Sequence, residues 1–212
     1  MRGRCNPSFA ALLRSAFRPE DLDEHPWPVF GLEADGTLAY VNLAWDAFAL
    51  ANGGEPEVSR AWNVGSNFFA AVAEPLHPFF RALFERATGE RHALQPAEHV
   101  YECSSSQEFR QFSMQVFPLA EGAGFVVLNS LVTARPHDHV ERPPHPADIK
   151  RYADVNGLMH QCAHCRRMRR ADDPDRWDWV PAWIDARQRD ISHGICPLCY
   201  AYYYTKRRSW LT

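Results

Sequence analysis

Four cysteines constrain this chain more than any other feature. Cys162-Ala-His-Cys165 and Cys196-Pro-Leu-Cys199 form two Cys-x-x-Cys pairs separated by 30 residues. Each pair can turn two sulfurs toward one point, and two such corners supply a tetrahedral set of ligands. The interval exceeds the ~15–20 residues of the commonest zinc pattern, yet an intervening hairpin closes it at little added entropy. Arg166 follows Cys165 where a c-type haem attachment site needs histidine, so that chemistry is excluded. A closed set of four thiolates points to structural zinc. A metal-free dithiol switch is a further reading, and it requires exposed cysteines.

The residues around the cysteines favour a metal. Residues 153–212 carry few aliphatic side chains, and their apolar content is mainly Trp177, Trp179, Trp183 and the tyrosines of CYAYYYT. A module of about 60 residues with so little core needs a staple. Trp177 and Trp179 share one side of a short strand that Pro181 ends, and Pro197 starts a helix with Tyr200, Tyr203 and Tyr204 on one face. His160, His164 and His193 flank the cysteines and read as supporting or surface residues. In a reducing compartment such pairs hold metals more often than disulfides.

The other two cysteines, Cys5 and Cys103, stand alone, and Cys103 reads as a buried, inert thiol. The formal net charge of −3 conceals a split. Residues 151–212 hold eleven Lys and Arg against seven Asp and Glu, so residues 1–150 are acidic. The junction is compositional as well. ARPHDHVERPPHPADIKRY, residues 134–152, has four prolines and three histidines and reads as a stiff, extended linker. No uninterrupted apolar run approaches the ~20 residues of a membrane helix. The first residues lack a full secretory apolar core, so a cytoplasmic location is expected.

Ahead of the linker, residues 1–24 read as a helical extension and residues 25–133 as a domain. Two short strands flank an Asp35-Gly36 turn, and Asn42 caps a helix that Asn52-Gly53-Gly54 stops. Phe80, Leu83, Phe84 and Ala87 mark a helix from His77 to Gly89. Strands follow at Glu98–Cys103, around Phe112, Met114 and Val116, and over 124–132. Two strands, several helices and three strands make an α+β domain rather than a parallel α/β sheet. No glycine elbow, phosphate loop or nucleophile–base pair stands out, so catalysis is not expected.

The order of Asp35-Gly36-Thr37, Tyr40-Val41-Asn42, Ala44-Trp45, Val64-Gly65-Ser66-Asn67 and Ala87-Thr88-Gly89-Glu90 resembles a PAS domain over roughly residues 25–133. The resemblance implies a five-stranded antiparallel sheet with helices on one face, enclosing a ligand pocket or serving dimerisation. Candidate pocket residues are Trp45, Phe48, Phe68, Phe69, Phe80, Phe84 and Met114, although aromatic residues at helical spacing also make plain core. Phe68 stands where light-sensing flavin members carry a reactive cysteine. A haem would need His77, which otherwise reads as an ordinary surface histidine. The ligand is left unidentified.

Gln161-Cys162-x-x-Cys165-Arg166, Trp179-Val180-Pro181-x-Trp183 and Ser192-His193-Gly194-Ile195-Cys196-Pro197 resemble a cysteine module that accompanies PAS domains in bacterial regulators. The Cys-Pro-x-Cys pair after a long loop also resembles rubredoxin, which would hold iron. Rubredoxin has glycine after the second cysteine of each knuckle, where Arg166 and Tyr200 stand here. Arg166, Arg167, Arg169 and Arg170, with Lys206, Arg207 and Arg208, could contact nucleic acid. Alternatively the first four pair with Asp172, Asp173, Asp175 and Asp178 as a charged hairpin. The expectation is a non-enzymatic signalling protein, a homodimer through the PAS-like domain, whose zinc module meets a protein partner. The alternatives are a rubredoxin-like redox protein and a nucleic-acid-binding regulator.

Overall fold

The computed structural model describes residues 2–89, 96–184 and 190–205, so Glu90, Lys206, Arg207 and Arg208 lie outside the described residues. It is mixed α+β, with a six-stranded antiparallel sheet and a second, four-stranded sheet. In chain order the first part runs β1 (Arg4–Cys5), α1 (Pro7–Ala16), α2 (Pro19–Asp23), β2 (Val29–Glu33) and β3 (Leu38–Val41). Helices α3 (Leu43–Ala51), α4 (Glu57–Ala61), α5 (Phe68–Ala71) and α6 (His77–Ala87) follow. Strands β4 (Ala97–Glu102), β5 (Glu108–Pro118) and β6 (Gly124–Pro136) complete the first sheet, in the order β1-β3-β2-β6-β5-β4.

Two expectations need correction here. The sheet has six strands instead of five, because Arg4 and Cys5 pair with Val41 and Tyr40 at its edge. Helices also cover both faces of the sheet instead of one. Phe9 and Leu13 of α1 pack with Val29, Ala39, Tyr40 and Val126 on one side. Gly31 and Gly124 let Phe9 come close: a Cβ on Gly31 would lie 2.5 Å from its ring. On the other side Phe84 of α6 meets Phe125, with ring centroids 5.0 Å apart. Burial on both faces explains why β2, β3 and the start of β6 read as continuous apolar runs.

Local signals are met where the sequence placed them. The Asn42 side chain accepts from the Trp45 N–H as N-cap of α3 and also ties down Val29, Leu22 and Trp27 backbone groups. Gly36 takes a positive φ of 87° in the turn between β2 and β3. Tyr40 donates to the buried Asp23 at 2.7 Å, and burial, followed by that carboxylate, pushes the phenol pKa well up.

The second sheet has the order β10-β7-β8-β9. After α7 (Ile149–Tyr152) come β7 (Met159–Cys162), β8 (Met168–Arg169), β9 (Trp177–Asp178) and β10 (Ile191–Gly194), then α8 (Pro197–Tyr200). A π-helical turn, Ala201–Thr205, extends α8. Tyr152, Met159, Met168, Val180 and Trp183 form a small core.

Contacts divide the chain into two compact units, residues 1–99 with 113–131 and residues 100–112 with 132–212. The second unit therefore takes residues 100–112 together with the proline-rich stretch that composition marks as a linker. That stretch is not a bare tether. Arg142 is buried and donates to Glu102 at 2.8 Å, and the His137 ring lies 4.5 Å from Trp179.

Candidate metal centre

The register of the second sheet builds the cysteine cluster. Strand β10 runs parallel to β7 and pairs Gly194 with Cys162, so Cys196 emerges two residues beyond, beside the first pair. The Ala163 N–H donates to Gly194 O at 2.8 Å and fastens this junction. Between the pairs, β8 and β9 form the expected hairpin, with Met168 opposite Asp178 and Arg169 opposite Trp177. Cys165 sits in the tight connection from β7 to β8, and Arg166 just after it adopts φ 61°. The second pair opens α8 instead, where the Cys199 N–H donates to the Cys196 sulfur at 3.4 Å.

The four sulfurs converge. All lie within 4.8 Å of one another, and Cys165 Sγ is 3.7 Å from Cys196 Sγ. A tetrahedral ion at the usual ~2.3 Å metal–sulfur distance requires about 3.8 Å between sulfurs. None of the six cysteines is disulfide-bonded. The four are between 0% and 3% exposed, so exposed-thiol redox chemistry lacks access. Hydrogen bonding from Cys165 lowers the Cys162 thiol pKa and that from Cys162 lowers Cys196, while the other three sulfurs push Cys199 up. So crowded a set cannot all ionise without positive charge among them. Four buried cysteines are thus positioned to bind a metal ion. The residues fit zinc or iron equally well in geometry.

Around the cluster lies a polar frame that sequence reading missed. Glu102 accepts from both Arg142 and Ser104, at 2.8 and 2.5 Å. Arg142 reaches Cys165 O at 3.3 Å, Arg166 Nε donates to Ser104 O at 3.2 Å, and Ser104 N–H donates to His164 O. The first knuckle is therefore bonded to the turn between β4 and β5. Glu102 is buried, and Arg142 pairs with it. No local signal joins residues 40 apart in sequence. His164 is held neutral by burial, its pKa lowered to about 4, and its Nε2 lies 2.5 Å from the Tyr204 hydroxyl. Tyr203 meets Gln111.

The four arginines of the first knuckle have different surroundings. Arg170 is buried and paired with Asp178 at 2.5 Å, and Asp178 also accepts from Tyr152 at 2.9 Å. Burial raises the Asp178 pKa, but Arg170 and Tyr152 outweigh it and hold the carboxyl below its usual range. Arg166 is engaged as above, and Arg167 lines a cavity of about 550 Å³ with Trp177, Trp179, Arg176, Cys196 and Leu198. Arg169 is half-buried. The charged-hairpin reading holds for Arg170.

In the first unit, the aromatic pocket candidates mostly fill their own space. Phe68 packs on Phe30, Phe80 and Phe84 at centroid distances of 5.9, 5.4 and 5.6 Å. Trp45 closes on Phe30 and Phe48 on Trp27, while Met114 is buried in β5. A separate cavity of about 280 Å³ is lined by Leu32, Phe69, Arg81, Phe84, Glu85 and Phe125 among others, so Phe84 and Phe69 reach it. His77 Nε2 lies 2.9 Å from Val72 O, so the ring is already tied to the backbone. Among the described residues no helix is long and apolar enough to cross a membrane. No protein-family model matches the chain, and no curated protein matches it.

Proposed function

We propose that this is a non-enzymatic signalling protein of the PAS type, in which a sensor domain is joined to a zinc-stapled output module. The observation that carries the zinc module is the closed, buried set of Cys162, Cys165, Cys196 and Cys199. The PAS reading draws support from the sheet. Leaving aside the edge strand β1, strands taken in chain order stand as 2-1-5-4-3, with the helical segment α3–α6 between the second and third. The small cavity near Phe69, Phe84 and Arg81 is the place for a sensed ligand in this reading. The same domain pairs two copies of the chain, and the zinc module contacts a protein partner.

Native mass spectrometry with elemental analysis tests the reading. The expected result is one zinc per chain in a dimeric protein, with the metal lost and the second unit unfolded in Cys196→Ser. A chain that carries no metal, or stays folded after Cys196→Ser, removes the output module from the proposal.

A rubredoxin-like iron site is a second reading, favoured by one observation. Arg166 occupies a left-handed conformation, φ 61°, at the position where rubredoxin places glycine. Its discriminator is colour: purified protein with visible thiolate-to-iron bands replaces zinc by iron and signalling by electron transfer.

A further inference from the structure

Trp177 packs against the four cysteines from β9, together with Ile195 and Tyr203. Its indole Nε1 is wholly buried, with no hydrogen-bond partner. A buried donor left unmade costs about 1–3 kcal/mol, and native interiors leave few of them. The ring borders the larger cavity, but the nitrogen is shielded from it, so solvent does not satisfy the N–H.

The buried side chains against which this ring packs are the four cysteines. A neutral thiol accepts weakly, whereas a thiolate bound to a cation keeps lone pairs and negative charge. Four thiolates around a divalent ion carry a formal charge of about −2, and hydrogen-bond donors around the cluster spread it. Two donors are already in place: Cys196 N–H to Cys162 Sγ and Cys199 N–H to Cys196 Sγ, each at 3.4 Å. The orphaned indole has the chemistry of a third.

We propose that Trp177 is an outer-sphere donor to the metal centre, its Nε1–H hydrogen-bonding a metal-bound thiolate. Cys196, which shares the cavity wall with the ring, is the acceptor of choice. Trp177 is then a positioning residue: it lowers the electron density on sulfur, strengthens metal retention and shields the cluster's side toward the cavity. The hairpin between the two cysteine pairs gains a role beyond spacing, since β9 delivers this donor.

The inference rests on the metal reading of the four cysteines, and its test separates the two. The protein is labelled with ¹⁵N and loaded with ¹¹³Cd in place of its natural metal, and cadmium content is measured by mass. The expected result is one cadmium per chain and an indole proton of Trp177 that is shifted downfield and split by the metal through the hydrogen bond. Cadmium bound without that splitting overturns this inference alone, whereas no cadmium at all overturns the metal reading as well. Trp177→Phe keeps a ring but removes the donor. It is expected to weaken metal retention against a competing chelator by about 10–100-fold. Unchanged retention overturns the proposal, and if the variant does not fold, the cadmium experiment on the native sequence decides.

Discussion

The two units solve the problem of stability with different materials. The first sandwiches a sheet between helices and buries Leu13, Val29, Leu32, Tyr40, Leu83, Val116 and Val126 almost completely. At about 25 cal/mol per Å² of apolar surface, such a core suffices for a domain of this size. Among the described residues, the second unit has a small apolar cluster of five side chains, and the four cysteines form another buried cluster. Where apolar area is scarce, crosslinking takes over, through sulfur at the centre and through paired charges around it.

Metal removal is the strongest way to break that comparison. Structural zinc contributes about 10–16 kcal/mol to small modules that fold around it. Chelation, or Cys162→Ser, should abolish protection of the amides in 159–162 and 191–200 in hydrogen exchange. Protection in 29–41 and 113–129 should persist. If both sets collapse together, the two units are one cooperative body and the contrast fails.

The paired charges come next. Glu102→Ala would leave the buried Arg142 guanidinium without its carboxylate, a loss of about 3–5 kcal/mol for a buried pair. Arg142 also holds Cys165 O, so the variant should release its metal to a chelator sooner than the native protein does. Glu102→Gln, which still accepts hydrogen bonds, should recover part of the loss. Equal stability of the Ala and native forms in denaturant would show that the frame is ornamental. The matching substitution in the first unit is Leu83→Ala on α6, fully buried and about 2–5 kcal/mol destabilising through the cavity it leaves. Its signature is the converse: an earlier unfolding transition with metal stoichiometry unchanged.

These elements differ in how far the sequence exposed them. The cysteine pairs and the Asn42 cap are local patterns, and local spacing fixes what they can do. The covering of the second sheet face by α1 was not legible, because amphipathic spacing reveals a stripe but not which surface receives it. The aromatic residues Trp45, Phe68 and Phe80 show a related limit: periodicity marks them as inward-facing and says nothing about whether the space between them is empty. Glu102 and Arg142 were invisible for a third reason. Each sits in an unremarkable context, and only tertiary folding brings the carboxylate to the guanidinium. Trp177 was visible as core, but its unmet N–H appears only once the ring is seated on the cysteines.

The smallest expected effect probes the asymmetry inside the metal centre. Arg166 holds φ 61°, a conformation that costs a side-chain-bearing residue about 1–2 kcal/mol and glycine almost nothing. Glycine would relieve that strain, yet it enlarges the freedom of the unfolded chain by about 0.5–1 kcal/mol. It also deletes the Arg166 bond to Ser104 O, which contributes about 0.5–1.5 kcal/mol. The opposing contributions nearly cancel, so Arg166→Gly should shift stability by less than about 1 kcal/mol while weakening the tie to residues 102–105. Arg166→Val keeps the strain, worsens it through its branched Cβ and also lacks the bond, so it should be the less stable of the two. Denaturant midpoints of the three proteins, with hydrogen exchange at Ser104, measure both consequences. A glycine variant much more stable than the native chain would mean that the arginine contributes nothing at the knuckle. An equally stable valine variant would mean that the left-handed turn is absent in solution.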